Sequence, residues 1–405
     1  MRFNIFKPKT LLSIGIIIYI FLPFFFHLLY EDNQFQYSFS ISDFYVYFPI
    51  LCYSFALVLI RLNFKLPKIK IKERAANNNI LLYLTLPTLF FCYLLFWKIN
   101  ETFGYYNESQ ILENIINYRI IVERDSALII MTRNFITTLL IFISTTSWYC
   151  YSTSKKKIFR VYIILSLSLF LYISILSGRR IDLVNLILLS SYFLSFNALF
   201  NGKKLGLRLD IAAIFSIIFI SLVSWYSYFR QSKEVSSSIG DLIYEFVRRF
   251  DGVYPNFYYL YNSPLAYDWF YGVTYIRSFL NILPRNLFPW KHENLQMYFN
   301  DHLRLWDNSG MDFGNFGEVW VNFGPFSLIM LPIIIYTFKY FLESIYQGVV
   351  KKNYVSICIY SYIIYSILYF FSSPIDSTNF MFIIINLFIT YILAKLFSSK
   401  KNNHE

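Results

Sequence analysis

The stretch LLSIGIIIYIFLPFFFHLLY, residues 11–30, runs twenty residues with His27 as its one titratable group besides tyrosine. About twenty apolar residues are what an α-helix needs to cross the hydrocarbon core of a bilayer. Runs of this kind recur along the 405 residues, which are 57% hydrophobic and only 15% charged. Backbone in lipid must satisfy its own hydrogen bonds, and runs this long and continuous do not read as alternating barrel strands, so helices are the spanning solution. The expected fold class is all-α: a polytopic transmembrane helical bundle forming one domain over residues 1–405. About ten spans are expected, at 10–30, 43–62, 79–98, 132–152, 159–177, 181–200, 210–229, 316–343, 353–371 and 379–397. The first reads as a retained helix, since no small-residue cleavage site follows a short apolar segment.

Charge orients these spans. Arg2, Lys7 and Lys9 precede the first, and Arg61, Lys65, Lys68, Lys70, Lys72 and Arg74 follow the second. The positive-inside rule puts both groups, and with them both termini, in the cytoplasm. On that topology the inner face carries 22 Lys+Arg against 4 acids and the outer face 14 against 20. The net charge of +12 is then a topology signal. It argues against nucleic acid, because the bases sit in short loops beside the membrane and no DNA- or RNA-binding motif accompanies them. Cys52, Cys92, Cys150 and Cys358 lie in or beside apolar runs and read as small hydrophobes.

The two basic residue types separate. Of 20 lysines 17 fall inside, whereas of 16 arginines 11 fall outside: Arg119, Arg124, Arg133, Arg179, Arg180, Arg230, Arg248, Arg249, Arg277, Arg285 and Arg304. Either residue serves topology, but a planar fork that grips phosphate bidentately and keeps its proton is specific to arginine. The outer face reads as selected for phosphate. For any one arginine the alternative stays open, that it snorkels to headgroups or pairs with an outer acid. Arg179 and Arg180 stand at the tip of ILSGRRIDL, residues 175–183, a hairpin so short that it fixes them at headgroup depth.

Two outer segments have substance. Within 101–131, Ile111, Ile115, Ile116 and Ile120 recur at helical spacing opposite Glu113, Asn117 and Glu123, which predicts an amphipathic helix on the membrane surface, suited to line a lipid's access route. The second, 230–315, is too long for a passive connection. Its stretch DGVYPNFYYLYNSPLAYDWFYG, residues 251–272, is dense in aromatic rings. These either pack on the bundle or stack on sugar, and Tyr271 is the ring assigned to substrate. Pro284 and Pro289, in IRSFLNILPRNLFPWK, fix that piece near the bilayer surface.

No Ser/His/Asp set, phosphate-binding Gly loop, HExxH helix or Cys/His cluster is present, which disfavours a soluble-type hydrolase, an ATPase or a zinc enzyme. His27, His292 and His302 read as structural. Arginines, carboxylates and aromatics at a membrane face suit a transferase whose leaving group is a lipid pyrophosphate, because fixed cations match the charge that develops on it. The acceptor hydroxyl then needs placing, with an acid to share its proton. Glu318, in SGMDFGNFGEVWVNFGPF at 309–326, is that acid, and Asn322 shares its helical face four residues on. The alternative is an acid stabilised by a helix N-terminus.

SGRRIDLVNLIL opening a span, YGVTYIRSFLNILPRNLFPWK in the large outer loop and FGNFGEVWVNFGPFSLI leading into a late span together resemble the O-antigen or capsule repeat-unit polymerases, the Wzy-type oligosaccharide polymerases. The likeness covers about residues 175–335. It implies a bacterial plasma (inner) membrane enzyme with a fold similar to the GT-C glycosyltransferases. Such an enzyme moves a growing glycan from undecaprenyl pyrophosphate onto a new lipid-linked repeat unit, with neither a metal nor another cofactor. It also implies membrane lipid, a chain-length regulator and a flippase as partners. By motif position Arg179 and Arg180 match the family's Gly-Arg hairpin, Arg277 and Arg285 its outer-loop bases and Glu318 its Gly-Glu. The Arg-x10-Gly pattern of some relatives is missed by one residue at Arg230 to Gly240 and at Arg304 to Gly314. The expected catalytic residues are Glu318, Arg180 and Arg285, with Arg179, Arg277, Arg249, Arg304, Asn322 and Tyr271 binding substrate. An O-antigen ligase-type transferase and a lipid-linked oligosaccharide flippase or transporter are the competing functions.

Overall fold

The computed structural model describes residues 2–29, 39–62, 74–76, 80–103, 127–176, 180–202, 207–208, 247, 250, 252–263, 269–280, 295, 298–299, 314–373 and 375–400. These are mostly helical. Helix α1 (Pro8–Ile16) passes through a wide turn (Ile17–Phe21) into α2 (Leu22–Leu29). Pro23 lacks the N–H that a regular helix would use here, and the widened turn just before it absorbs the mismatch. Then follow α3 (Phe44–Arg61), α4 (Ile80–Phe103), α5 (Ala127–Ser154), α6 (Ile158–Leu176) and α7 (Arg180–Phe200). The segment 230–315 contributes α8 (Val253–Tyr261) and α9 (Val273–Leu280), and then follow α10 (Gly314–Phe323), α11 (Ser327–Val350), α12 (Tyr354–Ser372) and α13 (Thr378–Leu396).

Helices therefore occupy nine of the ten expected stretches, and 210–229 lies outside the described residues. Five are long and apolar enough to cross a membrane: Pro8–Leu29, Phe44–Arg61, Asp182–Phe200, Gly314–Val350 and Tyr354–Ser372. Shorter apolar helices run over Tyr83–Leu95, Ile158–Ser174 and Phe380–Leu396. The stretch expected as one span at 316–343 is divided. A 3-10 turn at Gly324–Phe326 separates α10 from α11, with Gly324 at φ +55°. The 24 residues of α11 alone reach about 36 Å at 1.5 Å per residue, enough for the hydrocarbon core. The amphipathic helix expected within 101–131 falls mainly between α4 and α5, outside the described residues.

Two short ribbons interrupt the all-α reading. Strand β1 (Arg2–Phe3) pairs antiparallel with β3 (Leu207–Arg208), and β2 (Arg74–Ala76) with β4 (Ser398–Lys400). Segments of two or three residues carry no periodicity for a sequence to show. They join, pair by pair, four segments whose charge assigns them to the same side. Lys339 adds a tie at that end, donating from Nζ to the carbonyl of Leu62 (2.9 Å), the residue just after α3.

Helix α12 is the central element, packed against α13, α7, α11 and α5. All of Tyr354–Phe371 except Ile359 is buried, the signature of a helix with neighbours all round. Its tyrosines bring polar groups into an apolar interior, and each hydroxyl needs a partner there. Tyr354 pairs with the Thr146 hydroxyl (2.9 Å) and Tyr360 donates to the Phe6 carbonyl (2.5 Å).

Helix α10 meets the C-terminal end of α12 at Gly314, which stands at φ +59° with the Phe371 carbonyl oxygen 2.5 Å from where a Cβ would lie. Gly202 has a similar φ, +73°, but open space around it. Both alanine substitutions incur the left-handed strain of about 1–2 kcal/mol. Gly314→Ala adds an overlap with backbone, typically about 1–3 kcal/mol more. Thermal unfolding in detergent is expected to show Gly314→Ala clearly less stable than Gly202→Ala; equal midpoints would mean that the α10–α12 contact is looser than described.

Candidate active site

Three carboxylates are buried around one end of α12. Asp182, in the first turn of α7, accepts hydrogen bonds on Oδ1 from the hydroxyls of Tyr365 (2.8 Å) and Tyr369 (3.0 Å), which lie one turn apart on α12. These bonds fasten the start of α7 to α12. That start is Arg180. A helix N-terminus presents free N–H groups and a partial positive charge, so this is a place where an anion is favoured. Near the start of α5, Arg133 is also buried, with Nη2 3.4 Å from the Asn134 side-chain oxygen.

Glu318 lies in the second turn of α10, fully buried. Its Oε1 accepts from the Thr274 hydroxyl (2.9 Å) and from the Asp376 N–H (3.1 Å), and its Oε2 accepts from the Ile375 N–H. Asn322, one turn on, donates from Nδ2 to the Thr274 hydroxyl (2.6 Å) and to the Glu318 carbonyl (2.7 Å), and accepts from the Gly272 N–H (2.9 Å). Thr274 thus receives from Asn322 and gives to Glu318, a relay that fixes both rotamers. Asp376 completes the group. Its Oδ2 accepts from Nε (3.0 Å) and Nη2 (2.7 Å) of Arg277, one turn along α9 from Thr274. A buried cation is tolerable because this carboxylate balances it. Three segments far apart in sequence, α9, α10 and the connection after α12, are held as one piece.

Tyr275 lies within this group, its ring stacked on Phe323 at 6.1 Å. Among the described residues the buried hydroxyl oxygen has no hydrogen-bond partner. Beside the cluster, Trp269, Tyr271, Asn322, Phe323, Phe326, Ile329 and Met330 line a cleft of about 310 Å³. Tyr271 stands at φ +48° and is 78% exposed.

In the aromatic segment 251–272 the described rings of α8 pack on the bundle, one of the two readings its sequence left open. In α8, Phe257 meets Phe316 (4.7 Å) and Trp320 (5.1 Å) edge-on, Tyr261 stacks on Phe44 (5.0 Å) and the Tyr254 hydroxyl donates to the Ile20 carbonyl (3.0 Å). These rings are bundle core. Among the described rings of this segment, Tyr271 is the one presented outward.

Of the residues singled out from sequence, the structure brings together Glu318, Asn322 and Arg277, with Tyr271 on the wall of the adjoining cleft. Both acceptor oxygens of Glu318 are engaged, and Arg277 is paired with Asp376, the ion-pair alternative for an outer arginine. Arg180 opens α7, while Arg179, Arg249, Arg285 and Arg304 lie outside the described residues. Thr274, Asp376, Tyr365 and Tyr369 were not singled out. Asp376, an acid in the short connection SSPIDS between two apolar helices, carries the one sequence signal that marks such a residue, ionisable chemistry at a membrane boundary. No protein-family model, no curated protein and no solved structure matches this chain.

Proposed function

We propose that this protein is a bacterial membrane glycosyltransferase, with about ten spans, a GT-C-like bundle and both termini in the cytoplasm. It polymerises undecaprenyl-pyrophosphate-linked oligosaccharide repeat units on the outer face of the plasma membrane. The observation that carries the reading is the anchoring of two arginine-bearing elements to one end of α12: the start of α7 through Asp182, and α9 through Asp376 and Glu318. In this reading Arg179 and Arg180 grip the diphosphate at the N-terminus of α7, where the helix adds its own partial charge. Arg285, Arg249 and Arg304 supply further cations from the outer loop. A diphosphate already leaves well once its charge is matched, so positioning and fixed charge are most of what the protein contributes.

The hydrogen bonding of Glu318 supports a positioning role beside the proton-sharing role expected of it. With both oxygens engaged, Glu318 and Arg277 act as positioning residues that hold α9 and the connection after α12 beside the diphosphate. In this reading the exposed Tyr271 ring is the aromatic group that meets the sugar. A chain-length regulator and a flippase are the working partners this reading carries with it.

Purified protein in lipid vesicles, supplied with lipid-linked repeat units, tests the reading. A ladder of products lengthening by whole repeats is expected. A single transfer onto an added lipid A core acceptor would indicate a ligase-type transferase instead, and lipid translocation without any new glycosidic bond would indicate a flippase.

A further inference from the structure

Helix α9 is built inside out for a helix in water. Thr274, Arg277 and Ser278 face inward and are buried, whereas Val273 (51%), Ile276 (69%) and Leu280 (37%) are exposed. Residues three and seven apart fall on one helical face, so those three form a single apolar stripe. A surface helix in water shows the opposite arrangement, and a large apolar patch left on a protein surface marks something that covers it. Polar groups turned inward, with a cation paired in the interior, is the arrangement expected of a helix with hydrocarbon outside it.

The stripe does not stand alone. Phe326 (67%), in the turn just before the span-length helix α11, and Ile329 (51%), in its first turn, are exposed too. They share the apolar cleft with Trp269 and Tyr271, at the turn that opens α9. The apolar surface of a candidate span thus continues across the cleft toward α9. Trp and Tyr at its margin are the residues that favour the boundary between hydrocarbon and headgroups.

We infer that α9 is a membrane-immersed helix whose Val273/Ile276/Leu280 face is covered by acyl chains of bilayer phospholipid. Residues 273–280 then belong to the lipid-embedded wall of the protein, and the Glu318–Arg277 cluster sits directly behind a lipid-facing surface. The inference concerns lipid contact alone and does not depend on the glycosyltransferase reading.

The test uses the full chain in phospholipid nanodiscs with an environment-sensitive fluorophore on Ile276→Cys or, as a second site on the same face, Val273→Cys. Ile329→Cys on α11 and Ser40→Cys, in the exposed turn before α3, are the references. The expected result is that the probes at 276 and 273 lose most of their emission to phospholipids carrying a spin label on the acyl chain and keep it against aqueous iodide, as at 329. Quenching by iodide to the extent seen at 40 would overturn the inference, placing the face in water. Quenching by neither would overturn it as well, since another protein segment or a second copy would then cover the face.

Discussion

Arg180→Ala is expected to slow the extension of lipid-linked glycan by about 10²–10³-fold, the loss usual when one preorganised charge-stabilising donor is removed from a reaction site. The position explains the size. Arg180 is the first residue of α7, where the free backbone N–H groups of the first turn favour an anion, and in the proposed reading Arg179 and Arg180 add their charge to it. Asp182 fixes that turn through Tyr365 and Tyr369, so the first turn stays in place when one side chain is cut back. The variant should insert and unfold like the parent, which separates lost chemistry from lost structure. The rate of ladder growth in vesicles is the readout, and a rate within a factor of about two of the parent's would take Arg180 out of the mechanism.

Asp376→Asn is expected to carry the largest stability cost, about 3–5 kcal/mol, the range for breaking a buried ion pair and leaving one charge behind. The neutral amide would leave the Arg277 guanidinium without a balancing charge. Replacing both partners, as in Arg277→Met with Asp376→Leu, removes the stranded charge, so the double variant should be more stable than Asp376→Asn. Thermal unfolding in detergent checks both statements. A single variant that costs under about 1 kcal/mol, the worth of an exposed pair, would mean that the contact is not buried in the membrane-bound protein.

Much of the bundle was legible because lipid leaves the backbone so few options. An apolar run of span length has to be helical whatever its neighbours are, and α3, α7 and α12 lie where the runs do. The break at Gly324–Phe326 was harder to see, since the sequence stays apolar through it and the turn depends on Gly324 at positive φ. The ribbons of two and three residues lie below any periodic signal.

The site was legible only where its parts are close in sequence. Glu318 and Asn322 lie four residues apart, and helical spacing puts them on one face. Thr274 and Asp376 meet Glu318 across 44 and 58 residues, and Arg277 meets Asp376 across 99. Contacts at such range are set by the packing of α9 and α10 against the end of α12. That is why Arg277 reads from sequence as a free cation for phosphate and stands in the structure as half of an ion pair.

The claim on which the account turns is that outer guanidinium groups hold a lipid diphosphate. Its most direct test is to titrate the purified protein with polyprenyl pyrophosphate and with the corresponding monophosphate, in the parent and in a variant carrying Arg179→Lys and Arg180→Lys. The account predicts that the pyrophosphate binds the parent at least about tenfold more tightly, a preference of about 1.4 kcal/mol. It further predicts that lysine, which keeps the charge and loses the planar fork, erases the preference. Equal affinity of the parent for both lipids, or a preference that survives both substitutions, would contradict it.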